Sequence, residues 1–323
     1  MAEEAPASTP ELSAILPTSD GYGSIRETVR HLRSQTAANR IELVVVASST
    51  AGLDAPPHEF EAFAGHRVVE VGRIVNIAAA YAAGVRHATA PLVALCEDHS
   101  YPDPGWAAAL IEAHRGPWAA VGPVIRNGNP GNRVSWADLV TSYLEWLAPA
   151  EPGERSHLPG HNSSYKREVL LASDPGMENA LASESAYHWR LRARGHRLYL
   201  EPRAVTAHLN FGLLRPWLAA KFLSGRVFAS TRSREWNVGR RALYVAASPL
   251  IPVVRLGRVV SDLASGPPRQ MPKGVIPTAA LGLVVSALGE MAGYACGTGN
   301  ALSRLAAFEF NRVQHLGKSV DLR

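Results

Sequence analysis

Strand-length apolar runs alternate with helical periodicities through the front part of the chain. Residues 12–17, Leu-Ser-Ala-Ile-Leu-Pro, read as a first strand that stops in a polar, glycine-containing loop at 18–23. A helix follows, with Ser24 as its cap and Glu27 three residues on, and Ile25, Val29 and Leu32 share its inner face. Residues 41–48 are almost all apolar, as expected of a strand covered on both faces of a parallel sheet. Pro56 and Pro57 break the chain before a weaker strand at 66–71. Residues 76–87 carry the small-residue periodicity of a helix, and a buried strand opens at Leu92. A helix at 104–114 has proline near its first turn, and 118–125 is a further strand. This alternation predicts a doubly wound α/β sheet.

Beyond it lie a turn-rich loop at 127–132, an aromatic stretch with Trp136, Tyr143 and Trp146, and a second polar loop at 149–155. Residues 179–195 read as one helix stopped by Gly195, with Leu181, Tyr187 and Leu191 turned inward and Glu184 near its start. Two short strands, 196–202 and 204–208, follow, the second ending on His208. From Leu213 the pattern changes: Trp217, Phe222 and Phe228 alternate with Arg215, Lys221, Arg226, Arg232 and Arg234. Two apolar runs come next, one at 242–254 interrupted by Pro249 and Pro252, one at 274–297 interrupted by Pro277 and Glu290. Each uninterrupted piece falls short of the roughly 20 residues of a spanning helix, so both are expected to lie on a membrane as amphipathic or re-entrant segments. A helical subdomain or an oligomer interface is the alternative reading.

Charge sharpens that picture. The net charge is +5, yet residues 203–273 hold twelve Lys or Arg against Glu235 and Asp262 alone, leaving 21 basic and 26 acidic residues elsewhere. The excess positive charge therefore points to an anionic partner, a membrane surface before nucleic acid, since no nucleic-acid reader motif accompanies it. Two cysteines among 323 residues exclude a disulfide framework and fit a reducing compartment. Residues 1–11, without a basic, then apolar leader pattern, are expected to be a disordered lead-in to a cytoplasmic protein.

The candidate chemistry sits where the strand at Leu92 stops abruptly in Glu97-Asp98-His99, before Pro102, Pro104 and Gly105. Ligands of open α/β sheets bind at the carboxyl ends of strands, so two acids and an imidazole delivered there suggest a cation or phosphate site. A solvated strand end is the plain alternative. Gly21-Tyr22-Gly23 is too short for a dinucleotide or P-loop fingerprint, which argues against dehydrogenase and kinase chemistry.

Together these pieces resemble the inverting glycosyltransferases of family 2, whose fold is GT-A. Ile15-Leu16-Pro17-Thr18 is similar to that family's first strand and nucleotide-contacting loop; Glu97-Asp98-His99-Ser100 with Pro102, Pro104, Gly105 and Trp106 is similar to its metal-binding DXD region. Ser183-Glu184, with Tyr187, Arg190, Leu191 and Gly195, resembles the element that supplies the catalytic base. The resemblance implies a GT-A-like, Rossmann-like mixed sheet over 12–212, with a basic, apolar helical region over 213–323 appended to it. It implies a nucleotide-sugar donor, UDP-linked by default, contacted by Pro17, Thr18, Asp20, Ser48, Glu97 and Asp98. Asp98 is the leading ligand for Mn²⁺ or Mg²⁺, with His99 and His208 as second contributors, imidazole suiting Mn²⁺ better. Glu184 becomes the general base toward a hydroxyl acceptor, lipid-linked or membrane-proximal, and His161, Asn162 and Trp189 are acceptor candidates.

The chain departs from the family pattern in four places, one being the absence around Tyr81 and Ala82 of an Arg-Asn pair often found before the DXD strand. Its second strand ends in Val46-Ala47-Ser48 where acids are usual, His99 replaces a carboxylate, and Glu184 stands where Asp is usual. These departures support a rival reading, a catalytically weakened GT-A protein acting as a scaffold at a membrane. The favoured expectation is a glycosyltransferase peripheral to the inner face of the cell membrane, with self-association through its C-terminal region left open.

Overall fold

The computed structural model describes residues 9–267 and 269–317. The lead-in expected at 1–11 falls, as far as residue 8, outside the described residues. By Glu11 the chain is engaged: its backbone N–H donates to the Arg40 carbonyl at 2.9 Å, and its carboxylate accepts two bonds from the Arg40 guanidinium at 2.6 and 2.9 Å. Two compact units form. One takes the chain up to Val124 with Glu151–Leu181 and His188–Thr206; the other takes Ile125–Ala150, Ala182–Tyr187 and the chain from Ala207.

In chain order the elements are β1 (Leu12–Thr18), α1 (Tyr22–Arg33), β2 (Ile41–Ala47), β3 (Gly65–Glu70), α2 (Ile77–His87), β4 (Leu92–Leu95) and β5 (Ser100–Pro102). Next come α3 (Trp106–Ala113), β6 (Ala120–Asn127), α4 (Arg133–Ser142), β7 (Gly153–Arg155), β8 (Ser164–Lys166), α5 (Arg167–Leu171), α6 (Met177–Leu181), α7 (Glu184–Ala193) and β9 (Leu198–His208). The last stretch is helical: α8 (Leu214–Arg232), α9 (Val238–Ala247), α10 (Ile251–Ser265), α11 (Val275–Cys296) and α12 (Ala301–Glu309).

The sheet runs β3-β2-β1-β4-β8-β6-β9-β5, with β7 paired to β9. Strands β3, β2, β1 and β4 are mutually parallel, whereas β8 lies antiparallel to both β4 and β6, so the sheet is mixed as expected. Every residue of β1 and β2 is buried, which is why both read as near-continuous apolar runs. The exception, Glu42, is satisfied by Ser13, by the Thr89 N–H at 2.8 Å and by Arg67 at 2.9 Å. Burial alone would raise its pKa, but these donors hold the carboxyl below its usual range.

Several expected boundaries move, each for a local reason. Helix α1 starts at Tyr22, so Ser24 is not its cap; the Ser24 hydroxyl donates instead to the Gly21 carbonyl at 3.0 Å. The helix expected over 179–195 is two, α6 and α7, and Glu184 opens the second. The two short strands expected around Pro202 are one, β9; the Glu201 carboxylate takes the N–H of Arg203, satisfying the backbone beside the proline. The apolar runs are longer helices than their prolines suggest. Pro249 and Pro252 each fall in a first turn, where a missing N–H costs no helical bond, so the helical path continues from Val238 to Ser265. Pro277 is likewise the third residue of α11, and Glu290 is buried with an Arg255 Nη1 contact at 2.6 Å, so neither breaks that helix.

The second unit is built on a close crossing of α8 and α11. A Cβ on Gly289 would lie 2.0 Å from the Phe222 carbonyl oxygen, one on Gly282 would lie 2.3 Å from the Trp217 ring, and one on Gly225 would lie 2.2 Å from the Ser286 carbonyl oxygen. Small residues here let the backbones approach. Beside this crossing, buried Asp138 of α4 accepts from the Trp217 indole at 2.8 Å and faces Lys221 at 3.2 Å and Arg312 at 3.6 Å. Burial would raise its pKa; the two cations keep it below the ordinary carboxylate value. Lys221, expected among the membrane-facing basic residues, is thus spent on a buried ion pair.

Candidate active site at the carboxyl edge of the sheet

In register, Thr18 pairs with Ala47, Ala47 with Glu70, and Ile15 with Leu95. The loops after β1, β2, β3 and β4 therefore leave the sheet at one edge, the edge where α/β proteins bind ligands. Pro17 and Thr18 are buried there, Ser48 is half-buried and Asp20 is exposed. The Thr18 hydroxyl donates to the Gly21 carbonyl at 2.9 Å and lies 2.9 Å from the Ser24 hydroxyl. Gly21 has φ +88°, and a Cβ there would meet the Gly52 carbonyl oxygen at 2.7 Å, so only glycine lets the two loops touch.

Beside the end of β2, which carries no acid, its neighbour places a carboxylate. Glu70, last residue of β3, accepts from the Thr50 N–H at 2.8 Å and the Thr50 hydroxyl at 2.5 Å, which lowers its pKa. The sequence reading missed this residue. The signal was its place one strand over, in register with Ala47.

Glu97, Asp98 and His99 form the tight turn between β4 and β5. Its backbone is fixed by Thr28 Oγ1, which donates to the Glu97 carbonyl at 3.0 Å. His99 is 1% exposed; its Nδ1 lies 2.7 Å from Asp98 Oδ1 and its Nε2 lies 3.3 Å from Glu97 Oε2. A fourth group joins from a distant loop: His161 Nδ1 lies 3.7 Å from the same Glu97 Oε2.

The backbone seats that loop. The Asn162 N–H donates to the Leu95 carbonyl at 2.7 Å, and the Leu95 N–H donates to the Ser163 carbonyl at 3.2 Å. Asn162 has φ +53°, the left-handed conformation Asn tolerates, and its Nδ2 donates to Ser100 Oγ at 3.0 Å. The buried Trp106 indole donates to the Asn162 carbonyl at 3.1 Å. Asn162 thus ties its loop to the turn and leaves His161 facing Glu97.

Behind this loop, buried His188 accepts from the Leu158 N–H at 3.3 Å and lies 2.8 Å from the Tyr165 hydroxyl. Burial pushes its pKa down to about 3, so it is a neutral packing group.

Of the remaining candidates, Glu184 and His208 belong to the second unit and Trp189 to the first. Glu184 is half-buried in the first turn of α7, where the helix dipole favours a negative charge. His208 ends β9, is buried, and has Nδ1 2.9 Å from Asn210 Oδ1. Trp189 is 39% exposed, outside the core.

A family model described as Glycosyl transferase family 2 matches residues 13–172, the segment that carries β1 through β8 and the whole Glu97–His161 cluster. Just under half of the chain is thus similar to glycosyl transferase family 2. No curated protein matches the chain. Among solved structures, GalNAc-T7 with UDP, GalNAc and Mn²⁺ is 15% identical with a TM-score of 0.44, over 62% of this chain and 44% of that one. The mannosyltransferase PcManGT from Pyrobaculum calidifontis, in complex with GDP-Man and Mn²⁺, is 20% identical with a TM-score of 0.48, over 94% and 87%. TarS from S. aureus is 12% identical with a TM-score of 0.43, over 87% and 55%. The chain thus spans less than half the length of the first of these.

Proposed function

We propose that the protein transfers a sugar, with inversion, from a nucleotide-diphosphate donor (UDP-linked by default) to a hydroxyl acceptor at a membrane surface. The observation that carries this reading is the Glu97-Asp98-His99 turn, with Asp98 and His99 buried, at the carboxyl edge of a domain similar to family 2. Pro17, Thr18, Asp20 and Ser48 contact the nucleotide, with Glu70 supplying the carboxylate absent from β2. Two imidazoles and two carboxylates, held with little exposure, fit a divalent cation, Mn²⁺ more readily than Mg²⁺. When bound, that ion would stabilise charge on the departing diphosphate.

Glu184 takes the proton of the acceptor hydroxyl as its oxygen attacks the anomeric carbon. The bond from that carbon to the donor phosphate oxygen breaks, the nucleoside diphosphate leaves, and configuration inverts. His161, Asn162 and Trp189 remain candidates for contact with the acceptor side. Glu184→Gln should lower kcat by roughly a hundredfold to ten-thousandfold with donor KM unchanged, and proton NMR of the first-formed product should show the opposite anomer. Wild-type turnover in Glu184→Gln would refute the base assignment.

The membrane reading rests on a different observation. Among the described residues, Val238–Ser265 and Val275–Cys296 are long and apolar enough to cross a membrane by length and composition. The first exposes an uncharged stripe where a water-facing helix would be polar: Leu243, Leu250, Val253 and Val260 recur at helical spacing, Val253 being 71% exposed. On α11 the exposed positions are Leu281, Val284 and Leu288. Trp236 and Tyr244 lie beneath the Arg232 guanidinium at 5.2 and 5.0 Å, a pairing suited to headgroup depth. The exposed stripe, and not the helix lengths, supports peripheral docking on the inner face of the cell membrane. Val253→Asp combined with Leu250→Asp should abolish flotation with phosphatidylglycerol vesicles. Unchanged flotation would remove the stripe from the binding surface, and a monomer–dimer shift instead would identify it as an interface between copies.

A further inference from the structure

We infer that the open cavity at the amino edge of the sheet is a binding site for a phosphomonoester of hexose or nucleoside size, held by Arg115, Lys166 and Arg167. The site is separate from the proposed transfer chemistry and does not depend on it.

The cavity lies wholly within the first unit, where β4 begins and β8 ends, and its volume is about 590 Å³. Because β8 runs antiparallel to β4, with Ser164 opposite Ala94 and Lys166 opposite Leu92, its last residue is carried away from the Glu97 turn. The four residues of β4 separate the two places by about 13 Å. Cavities of about 300–1,000 Å³ hold small organic ligands, and a bare phosphate would leave most of this one to water.

Its charge is unbalanced. Among the described residues, the side chains of Arg115 and Lys166 make no hydrogen bond or ion pair. The Arg167 guanidinium donates only to backbone carbonyls, those of Val85 and Arg86, each at 3.1 Å. Two acids share the lining, but Glu11 is committed to Arg40 at 2.6 and 2.9 Å, and Glu168 is exposed. His114 lines the same wall without adding charge, because burial, and then the neighbouring Lys166 ammonium, holds its pKa down to about 4. Three cations therefore share the cavity with one uncommitted acid, and Lys166 is half-buried without the counter-ion that burial calls for.

The lining is fixed before any ligand arrives. The Lys166 N–H donates to the Ala119 carbonyl at 3.0 Å and the Arg167 N–H to the Pro91 carbonyl at 2.8 Å, so two consecutive basic residues are pinned to the segments entering β6 and β4. Such preorganisation spares a ligand the entropy of ordering its site. A phosphomonoester carries a charge of about −1.5 to −2 at pH 7 and three acceptor oxygens, which answers several cations where a carboxylate answers one. The remaining wall includes Leu92, Ile111 and Leu171, so the phosphate needs an organic group whose carbon faces cover them.

The test uses the full-length protein in EDTA, which silences metal-dependent binding at the opposite edge, titrated by calorimetry with glucose 1-phosphate, uridine 5′-monophosphate, inorganic phosphate and glucose. At least one ester should bind more tightly than inorganic phosphate, and glucose should not bind; the better ester distinguishes a hexose from a nucleoside. Lys166→Gln and Arg115→Gln should each weaken binding about tenfold to a hundredfold, the usual loss of a charged hydrogen bond. Glu168→Gln, which removes the uncommitted acid, should bind at least as tightly as wild type. Hydrogen exchange read by mass spectrometry should show protection at 89–92, 111–115 and 166–171 and none at 97–101. Circular dichroism confirms the fold of each variant.

Failure of both esters to bind the folded wild type overturns the site, as does undiminished binding in a folded double variant carrying Lys166→Gln and Arg115→Gln. Protection at 97–101 in place of the three cavity segments would assign the binding to the carboxyl edge and overturn it equally. Inorganic phosphate binding as tightly as either ester would leave the apolar wall without a role and remove the organic ligand.

Discussion

Gly289→Ala offers a quantitative test of the second unit, because two effects of opposite sign act on it. In a helix interior, alanine is favoured over glycine by about 0.8–1.0 kcal/mol. Against this, the new methyl would lie 2.0 Å from the Phe222 carbonyl oxygen and 3.1 Å from the Arg226 nitrogen, both backbone atoms of α8. A carbon–oxygen contact normally settles at about 3.3–3.6 Å, so the helices must separate locally by more than an ångström. Overpacking of this kind costs about 1–3 kcal/mol, and a backbone clash belongs at the upper end. The net expectation is a loss of about 2 kcal/mol, or about 4–8 °C in Tm for a unit of this size. Gly257→Ala is the control: it lies within α10, no heavy atom comes within 4 Å of its built Cβ, and only the propensity gain remains. Scanning calorimetry should show Gly257→Ala melting slightly above wild type and Gly289→Ala clearly below it. If both variants gain stability, α8 and α11 do not cross at the distance described.

Two further expectations concern buried charge. His188 and His114 have pKa values depressed by burial to about 3 and about 4, so both are neutral when folded and become protonated on unfolding below about pH 6.5. Their stabilising contribution is complete above that pH and declines on acidification, by up to about 2.7 kcal/mol per pH unit for the pair. His188→Gln should halve that slope in urea titrations between pH 6 and 4.5, and an unchanged slope would show that His188 titrates normally. Asp138→Ala leaves Lys221 and Arg312 facing each other without their shared counter-ion and should cost about 3–5 kcal/mol by denaturant unfolding. A loss below 1 kcal/mol would mean that water reaches the cluster.

The parallel half of the sheet was legible because burial on both faces keeps β1, β2 and β4 apolar at all positions but Ser13, Thr18 and Glu42. Strand β8 was not. Ser164-Tyr165-Lys166 has no pattern of its own and is extended because β4 and β6 both pair with it. Prolines misled the reading wherever they fell in a first helical turn, as at Pro252 and Pro277, since composition does not show which N–H groups lack partners anyway. At the site, Glu97-Asp98-His99 was visible as a polar stop to an apolar strand. His161 was noticed but not placed, because its meeting with Glu97 depends on contacts such as the Asn162–Ser100 bond, made across 62 residues. Glu70 escaped because reading along one strand does not reveal what its neighbour delivers.

The interleaving of the two units has a consequence for synthesis. Residues 125–150 leave the ribosome long before 207–317, yet Asp138 is completed only by Trp217, Lys221 and Arg312. While translation continues, α4 carries a carboxylate and an apolar surface whose partners do not yet exist, whereas the sheet can close once β9 has emerged. Slowing the ribosome after codon 206 would lengthen the lifetime of that half-built species and give chaperones or a nearby bilayer more time to capture it.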